Sequence, residues 1–349
     1  MRFSLAMFAA VIGLSVAASS TDAVEPREPI SESLTSLHGV YPVFASLRIG
    51  PHWDGPEAAT LKQVATAHAL FLTSALEPTA KLYDVNVGQV EELNVAYLPQ
   101  VGLLTIATLV DEKAADAFDA AMPCDGTGTI AGRTFATSSR VDYAKQRIHP
   151  RVIQFGPSPG IRQLYGSKLP LVEKPIVAAF LAAAEKANIL TVEISSEMIK
   201  GSVPIEGTKF APLIQAKRLR ITAHADKTLK VTLHGEFADE AAAKASVDAL
   251  KACLEELDKV FSLAEKAIPE AMTRDAERFP QGPAVVHVTE RAFQDARKAL
   301  KESKPTASGN VAEAVVEVKT DRPVTTATIL FSMIPRPQKE PAEKVENNK

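Results

Sequence analysis

The residues of this chain with the richest chemistry fall on one predicted hairpin. Arg218, Arg220, Thr222 and His224 alternate with apolar residues along its first strand. Lys230, Thr232, His234 and Glu236 do the same along its second. Imidazoles, guanidiniums and a carboxylate on one face are groups that would hold an anion or a metal. The apolar partners fix the register. A two-residue turn would set Ala223 opposite Lys230 and mix the faces. A three-residue loop, Asp226-Lys227-Thr228, instead pairs Ala225 with Leu229, Ala223 with Val231 and Ile221 with Leu233. Burial selects the second register, because a one-residue slip exposes the whole apolar set. It sets Arg220 opposite His234, Arg218 opposite Glu236, Thr222 opposite Thr232 and His224 opposite Lys230. His224 and His234 then stand four registers apart, about 13 Å at roughly 3.4 Å per residue. A shared metal would need both ring nitrogens near ~2 Å from it. The expected state is a solvated sheet face with charge pairs, and Arg220 and His234 remain candidate contacts for a partner.

A second group, His52, Trp53 and Asp54, lies in the turn Pro51 to Pro56 with the only Trp of the chain. A loop Trp can serve as a contact residue; the structural reading folds Trp53 over the adjacent core while Asp54-Gly55-Pro56 introduces a helix. The stretch Gly126 to Gly132 is Gly-rich but leads into a strand. A phosphate loop presents N–H groups from a helix N-terminus, so this stretch reads as a turn. His68 lies on an apolar helix face, and His38, His149 and His287 have no acidic or thiol neighbour at ligand spacing. No Gly-x-Ser-x-Gly, His-Glu-x-x-His, Cys-x-x-Cys, EF-hand or Walker pattern occurs. No catalytic, metal-binding or cofactor-binding residue is expected.

The N-terminus reads as a secretory signal peptide: Arg2, then an apolar run from Phe3 to Val16, then small residues for cleavage after Ala18, with Ala23 as the alternative end. A membrane anchor needs about 20 apolar residues and the run is shorter. Residues 19–38, with Pro26 and Pro29, read as a linker. Net charge is −3 and no Lys/Arg cluster stands out, which gives nucleic-acid or anionic-membrane binding no electrostatic support. Two cysteines, Cys124 and Cys253, suit a disulfide in an exported protein, which could contribute about 4–5 kcal/mol.

The elements that must position these residues repeat. Leu109 to Ala117 matches Phe237 to Ala245, 128 residues on, at five of nine positions. In both, a strand runs into an Asp (Asp111, Asp239) that caps an Ala-rich helix. The first unit, residues 39–172, contains strands at 43–49, 93–98, 103–109, 130–137 and 151–155, and helices at 57–76 and 111–122. The second, residues 173–335, contains helix 175–187, strand 190–194, the hairpin, a long helix after Asp239 and a strand at 312–319. Residues 262–304 read as helical with breaks near Pro269 and at 280–283. Thr325 to Ile334 fits either strand or helix. Residues 336–349 are rich in Lys, Glu and Pro and read as a disordered tail. With Cys253 mapping next to Cys124 under the offset, a pseudo-twofold packing would bring the two thiols face to face.

Val43 to Ile49 after a signal peptide, Val90-Glu91-Glu92-Leu93-Asn94-Val95 as a helical turn entering a strand, and Phe237 to Ala243 after a Leu-x-Val-x-Leu strand resemble exported proteins of unknown function common in planctomycete-type bacteria. The resemblance spans most of residues 40–335. It implies no catalytic residue, and it makes Thr325 to Ile334 a short helix. The expected protein is α+β: two tandem, related strand-helix-strand-strand-helix units with mainly antiparallel sheets about a pseudo-twofold axis. Its expected role is that of an exported, non-enzymatic binding module of the cell envelope. The expected partner is an envelope protein or a small ligand, with no membrane span after signal cleavage. A small-molecule or lipid carrier using the cleft between the units is the alternative, followed by a hydrolase with a scattered site.

Overall fold

The computed structural model describes residues 27–39, 43–48, 52–64, 89–98, 102–140, 142–195, 207–274 and 282–332. The segments expected to be a signal peptide and a C-terminal tail and most of the helix expected at 57–76 lie outside the described residues; 58–64 of that helix are helical. The fold is α+β. Among the described residues twelve strands form: β1 (Val43–Leu47), β2 (Val90–Leu98), β3 (Gly102–Leu109), β4 (Gly126–Ile130), β5 (Arg133–Ser138), β6 (Tyr143–His149), β7 (Val152–Pro157), β8 (Leu190–Ser195), β9 (Arg218–Ala225), β10 (Leu229–Glu236), β11 (Thr306–Ser308) and β12 (Val311–Val318). Besides residues 58–64, the described α-helices are α1 (Arg27–Thr35), α2 (Glu112–Ala121), α3 (Ser158–Gly166), α4 (Lys174–Lys186), α5 (Glu240–Arg274), α6 (Gly282–Glu302) and α7 (Pro323–Ser332).

All strands join one antiparallel sheet in the order β11-β12-β10-β9-β8-β1-β2-β3-β7-β6-β5-β4. The meanders β1-β2-β3 and β8-β9-β10 lie side by side, joined where β1 pairs with β8. The hairpin has the register that burial selects, with Ala225 opposite Leu229, Ala223 opposite Val231 and Arg220 opposite His234. Both predicted caps form. Asp111 Oδ1 accepts from the Ala114 N–H at 2.6 Å, and Asp239 Oδ1 accepts from the Ala242 N–H at 2.9 Å.

Each sheet face carries its own core. On one face α5, α6, α7 and residues 58–64 bury Val43, Ala45, Val192, Ala223, Leu229, Ala314 and Val316, while α2 covers Ala107, Leu109 and Ile153. On the other, α1, α3 and α4 bury Phe44, Ala96, Leu104, Ile106 and Val152. Phe180 of α4 sits on Phe44 with ring centroids 5.2 Å apart. Burying each such aromatic contributes about 2–3 kcal/mol.

Several expectations are corrected. Residues 27–35 are a helix and not a linker, because Ile30 and Leu34 are fully buried against the second face. Residues 90–92 are strand and not a helical turn; β2 begins at Val90, paired with Leu109, with a bulge before Glu92. The 130–137 strand is a hairpin turning at Ala131 and Gly132, both at positive φ (49° and 79°), a conformation Gly adopts freely. The chain does not break at Pro269. A Pro inside a helix costs about 3 kcal/mol, but α5 continues to Arg274. It is held to α6 by Arg297 bonded to Asp258 (2.8 Å) and Glu265 (2.5 Å) and by Phe261 against Phe293. Thr325 to Ser332, which fits either strand or helix in sequence, is helical. The carboxylate of Glu57 accepts from the N–H groups of Val324 (3.1 Å) and Thr325 (2.8 Å) at the start of α7.

Candidate functional site

The second face of β9, β10 and β12 differs from the rest of the sheet. The described helices in substantial contact with these strands, α5, α6 and α7, all belong to the core on the first face. The second face carries Arg218, Arg220, Thr222 and His224, then Lys230, Thr232, His234 and Glu236, then Glu313, Val315 and Glu317. His224, Lys230 and Glu317 are exposed, and the others are half-buried.

The anchor of this face is a residue that sequence reasoning missed. Glu193, on β8 opposite Arg220, is buried. Its Oε2 accepts from Arg220 Nε (2.9 Å) and Nη2 (2.6 Å), and its Oε1 lies 3.4 Å from Arg218 Nε. One carboxylate thus orients two guanidiniums, and two charge-assisted bonds to its Oε2 fix Arg220 in place. In sequence Glu193 sits inside an apolar alternation, and only the β8–β9 pairing reveals its partners. His234 faces Glu313 across β12 with Nδ1 3.7 Å from Oε2, close enough for attraction but too far for a hydrogen bond. Among the described residues no group of three or more His, Cys, Asp or Glu could hold a metal ion.

His52, Trp53 and Asp54 do not join this face. Trp53 packs against the first-face core, with Lys62 Nζ 5.6 Å from its ring centroid and 2.9 Å from Asp54. His52 Nε2 lies 3.3 Å from the Asn188 carbonyl. Burial holds its pKa below the ordinary value, and the nearby charges of His224 and Arg48 act in the same direction, against the pull of Asn188 and Glu57. The group braces the turn to the body of the fold.

The two cysteines are free thiols, which corrects the expected disulfide. Cys253 packs with the first-face core under α5, and burial pushes its thiol up to about 12. Cys124 follows α2, with its Sγ 4.0 Å from the Tyr143 hydroxyl, and burial raises it too. Their surroundings share no residue, because α5 covers β12 and α2 covers β3 and β7. Both stay protonated at neutral pH, and a protonated thiol is a poor nucleophile.

No family model matches this chain, and no curated protein matches it either. Solved structures do. Crystal form III of TP0453 is 10% identical over 88% of this chain and 98% of that one, with a TM-score of 0.40. Crystal form I of TP0453 is 9% identical over 90% and 99%, with a TM-score of 0.40. A likeness at that level carries no argument about function.

Proposed function

We propose that this chain is an exported, non-enzymatic binding protein of the cell envelope, with the second face of β9, β10 and β12 as its contact surface. The observation that carries the reading is the one-sided covering of these strands: three helices pack on their apolar face, while no described helix packs on the polar face, whose groups are exposed or half-buried. Export rests on the signal-peptide pattern at residues 1–18.

The chemistry of the face favours contact over catalysis. Arg218 and Arg220 are engaged by Glu193, and His234 stands beside Glu313. A polyanion would meet Glu236, Glu313 and Glu317 as well as the cations. A protein surface carrying both signs fits better, with Thr222, Thr232 and Val315 as its uncharged centre. The alternative cleft between the two units meets a continuous sheet, since β1 and β8 are hydrogen-bonded neighbours.

The test is a photo-crosslinking residue placed at Thr232 in cells that export the full chain, with the same residue at exposed Lys244 on α5 as the control. A discrete conjugate from position 232 and none from 244 is the expected result. Identical products from both positions, or none from 232, would overturn the reading.

A further inference from the structure

The polar face of β9, β10 and β12, which no described helix covers, is graded in charge across its strands. β9 contributes Arg218 and Arg220, and β12 contributes Glu313 and Glu317. β10 lies between them, with Lys230 toward one end and Glu236 at the other. With the buried Glu193 included, three permanent cations meet four carboxylates. The face is therefore close to neutral as a whole, while its two sides differ in sign. Much of this charge is not consumed within the chain. Among the described residues Lys230, Glu236 and Glu317 make no ion pair; Glu317 takes the Thr228 hydroxyl at 3.1 Å, and Glu313 has only His234 at 3.7 Å.

A near-neutral face with opposite signs on its two sides is complementary to itself. Two such sheets stack face to face about a twofold axis lying in the interface. An axis parallel to the strands, between β10 and β12, lays β10 of each copy over β12 of the other and keeps every row in place. The register then sets Lys230 over the second copy's Glu317, His234 over its Glu313 and Thr232 over its Val315, each contact made twice. Beside them Arg220 and Arg218 lie over the second copy's Thr306 and Ser308 on the edge strand β11, both exposed. An axis across the strands instead lays β9 on β9 and β12 on β12, which brings like charges together. Three strands of eight residues and the short β11, spaced ~4.8 Å apart, offer a footprint of roughly 450 Å² per copy. About 900 Å² in all falls below the standard interface, so the pair is weak, reversible and salt-sensitive.

We infer that the occupant of this open face is a second copy of the same chain, docked about the axis between β10 and β12 with Lys230 against the second copy's Glu317. The inference rests on the contact surface proposed above and names its partner.

Sedimentation velocity of the full chain, at roughly 1–200 μM and ~50 mM salt, tests it. The average mass is expected to rise with concentration toward that of two chains, and the rise to shrink at ~500 mM salt. Lys230→Glu and Glu317→Lys each set like charges against each other, and each is expected to weaken self-association at least ~10-fold. An equimolar mixture of the two variants is expected to dimerise again, because every contact between positions 230 and 317 in the mixed pair is attractive. A parent chain that stays monomeric throughout, or a mixture no more associated than its components, overturns the inference. The contact surface fails separately: a monomeric parent that still gives a Thr232 conjugate of another mass keeps that surface and loses only the second copy.

Discussion

The two neighbouring antiparallel meanders of the sheet, β1-β2-β3 at its centre and β8-β9-β10 toward one end, are finished differently. Around β1, β2, β3 and β7 both faces are covered, and the strands carry apolar residues on both: Phe44, Ala96, Leu104 and Ile106 on one, Val43, Ala45, Val95 and Ala107 on the other. Around β9, β10 and β12 one face is apolar and the other alternates Arg, Thr, His, Lys and Glu. Strands between two helical layers lose their polar alternation, whereas strands covered once retain it. The difference separates a half covered on both faces from a half covered on one. The boundary falls at β8, whose Leu190 and Val192 join the first-face core while Thr191 and Glu193 turn polar groups to the second.

The comparison is broken most sharply at Phe44. It is fully buried against Phe180, so Phe44→Ala is expected to cost about 3–5 kcal/mol in equilibrium urea unfolding. A cost below ~1 kcal/mol would mean that α4 does not cover this face. Glu193→Gln comes next. It leaves two guanidiniums without their counter-charge, but both are partly exposed and solvent screens them, so about 2 kcal/mol is expected in the same assay.

A smaller effect tests the turn that carries His52. The His52 imidazole is depressed by burial, so near its ordinary value of 6.5 the unfolded chain binds the proton more readily than the folded one. This contribution is present above pH 6.5 and is lost as pH falls through the lower folded value. In His52→Gln that part of the pH dependence is expected to vanish from urea midpoints measured between pH 7.5 and 5. The smallest effect belongs to the open face: Thr232→Ala should change stability by no more than about 0.5 kcal/mol, because nothing described packs on it. A large cost there would place a covering layer on the half covered once and end the distinction.

How much of this was legible depends on sequence distance. The β9–β10 register followed from a turn and an alternation within nineteen residues, Arg218 to Glu236. The caps Asp111 and Asp239 followed from their own next three residues. The role of Glu193 was not legible, since its partners lie on another strand 27 residues away. Nor was α7: its threonines argue for strand, and what makes it helical is burial of Ala327 and Ile329 together with a carboxylate from Glu57, 267 residues before Val324. The candidate residues divide the same way. Arg220 and His234 lie opposite each other as the register required, but His52, Trp53 and Asp54 turn out to brace the turn, and Cys124 and Cys253 stay apart.

By itself, then, the sequence determined the local grammar: which residues cap, which hairpin closes in which register, and which stripe of α5 faces inward. Those features depend on spacing within a few turns or one hairpin, where side chains meet whatever the rest of the chain does. Long-range packing settled that β1 and β8 fuse two meanders into one sheet and that α1 and α4 cover one half of its second face. Such outcomes depend on which apolar surfaces find each other across more than a hundred residues, and local periodicity does not encode that choice.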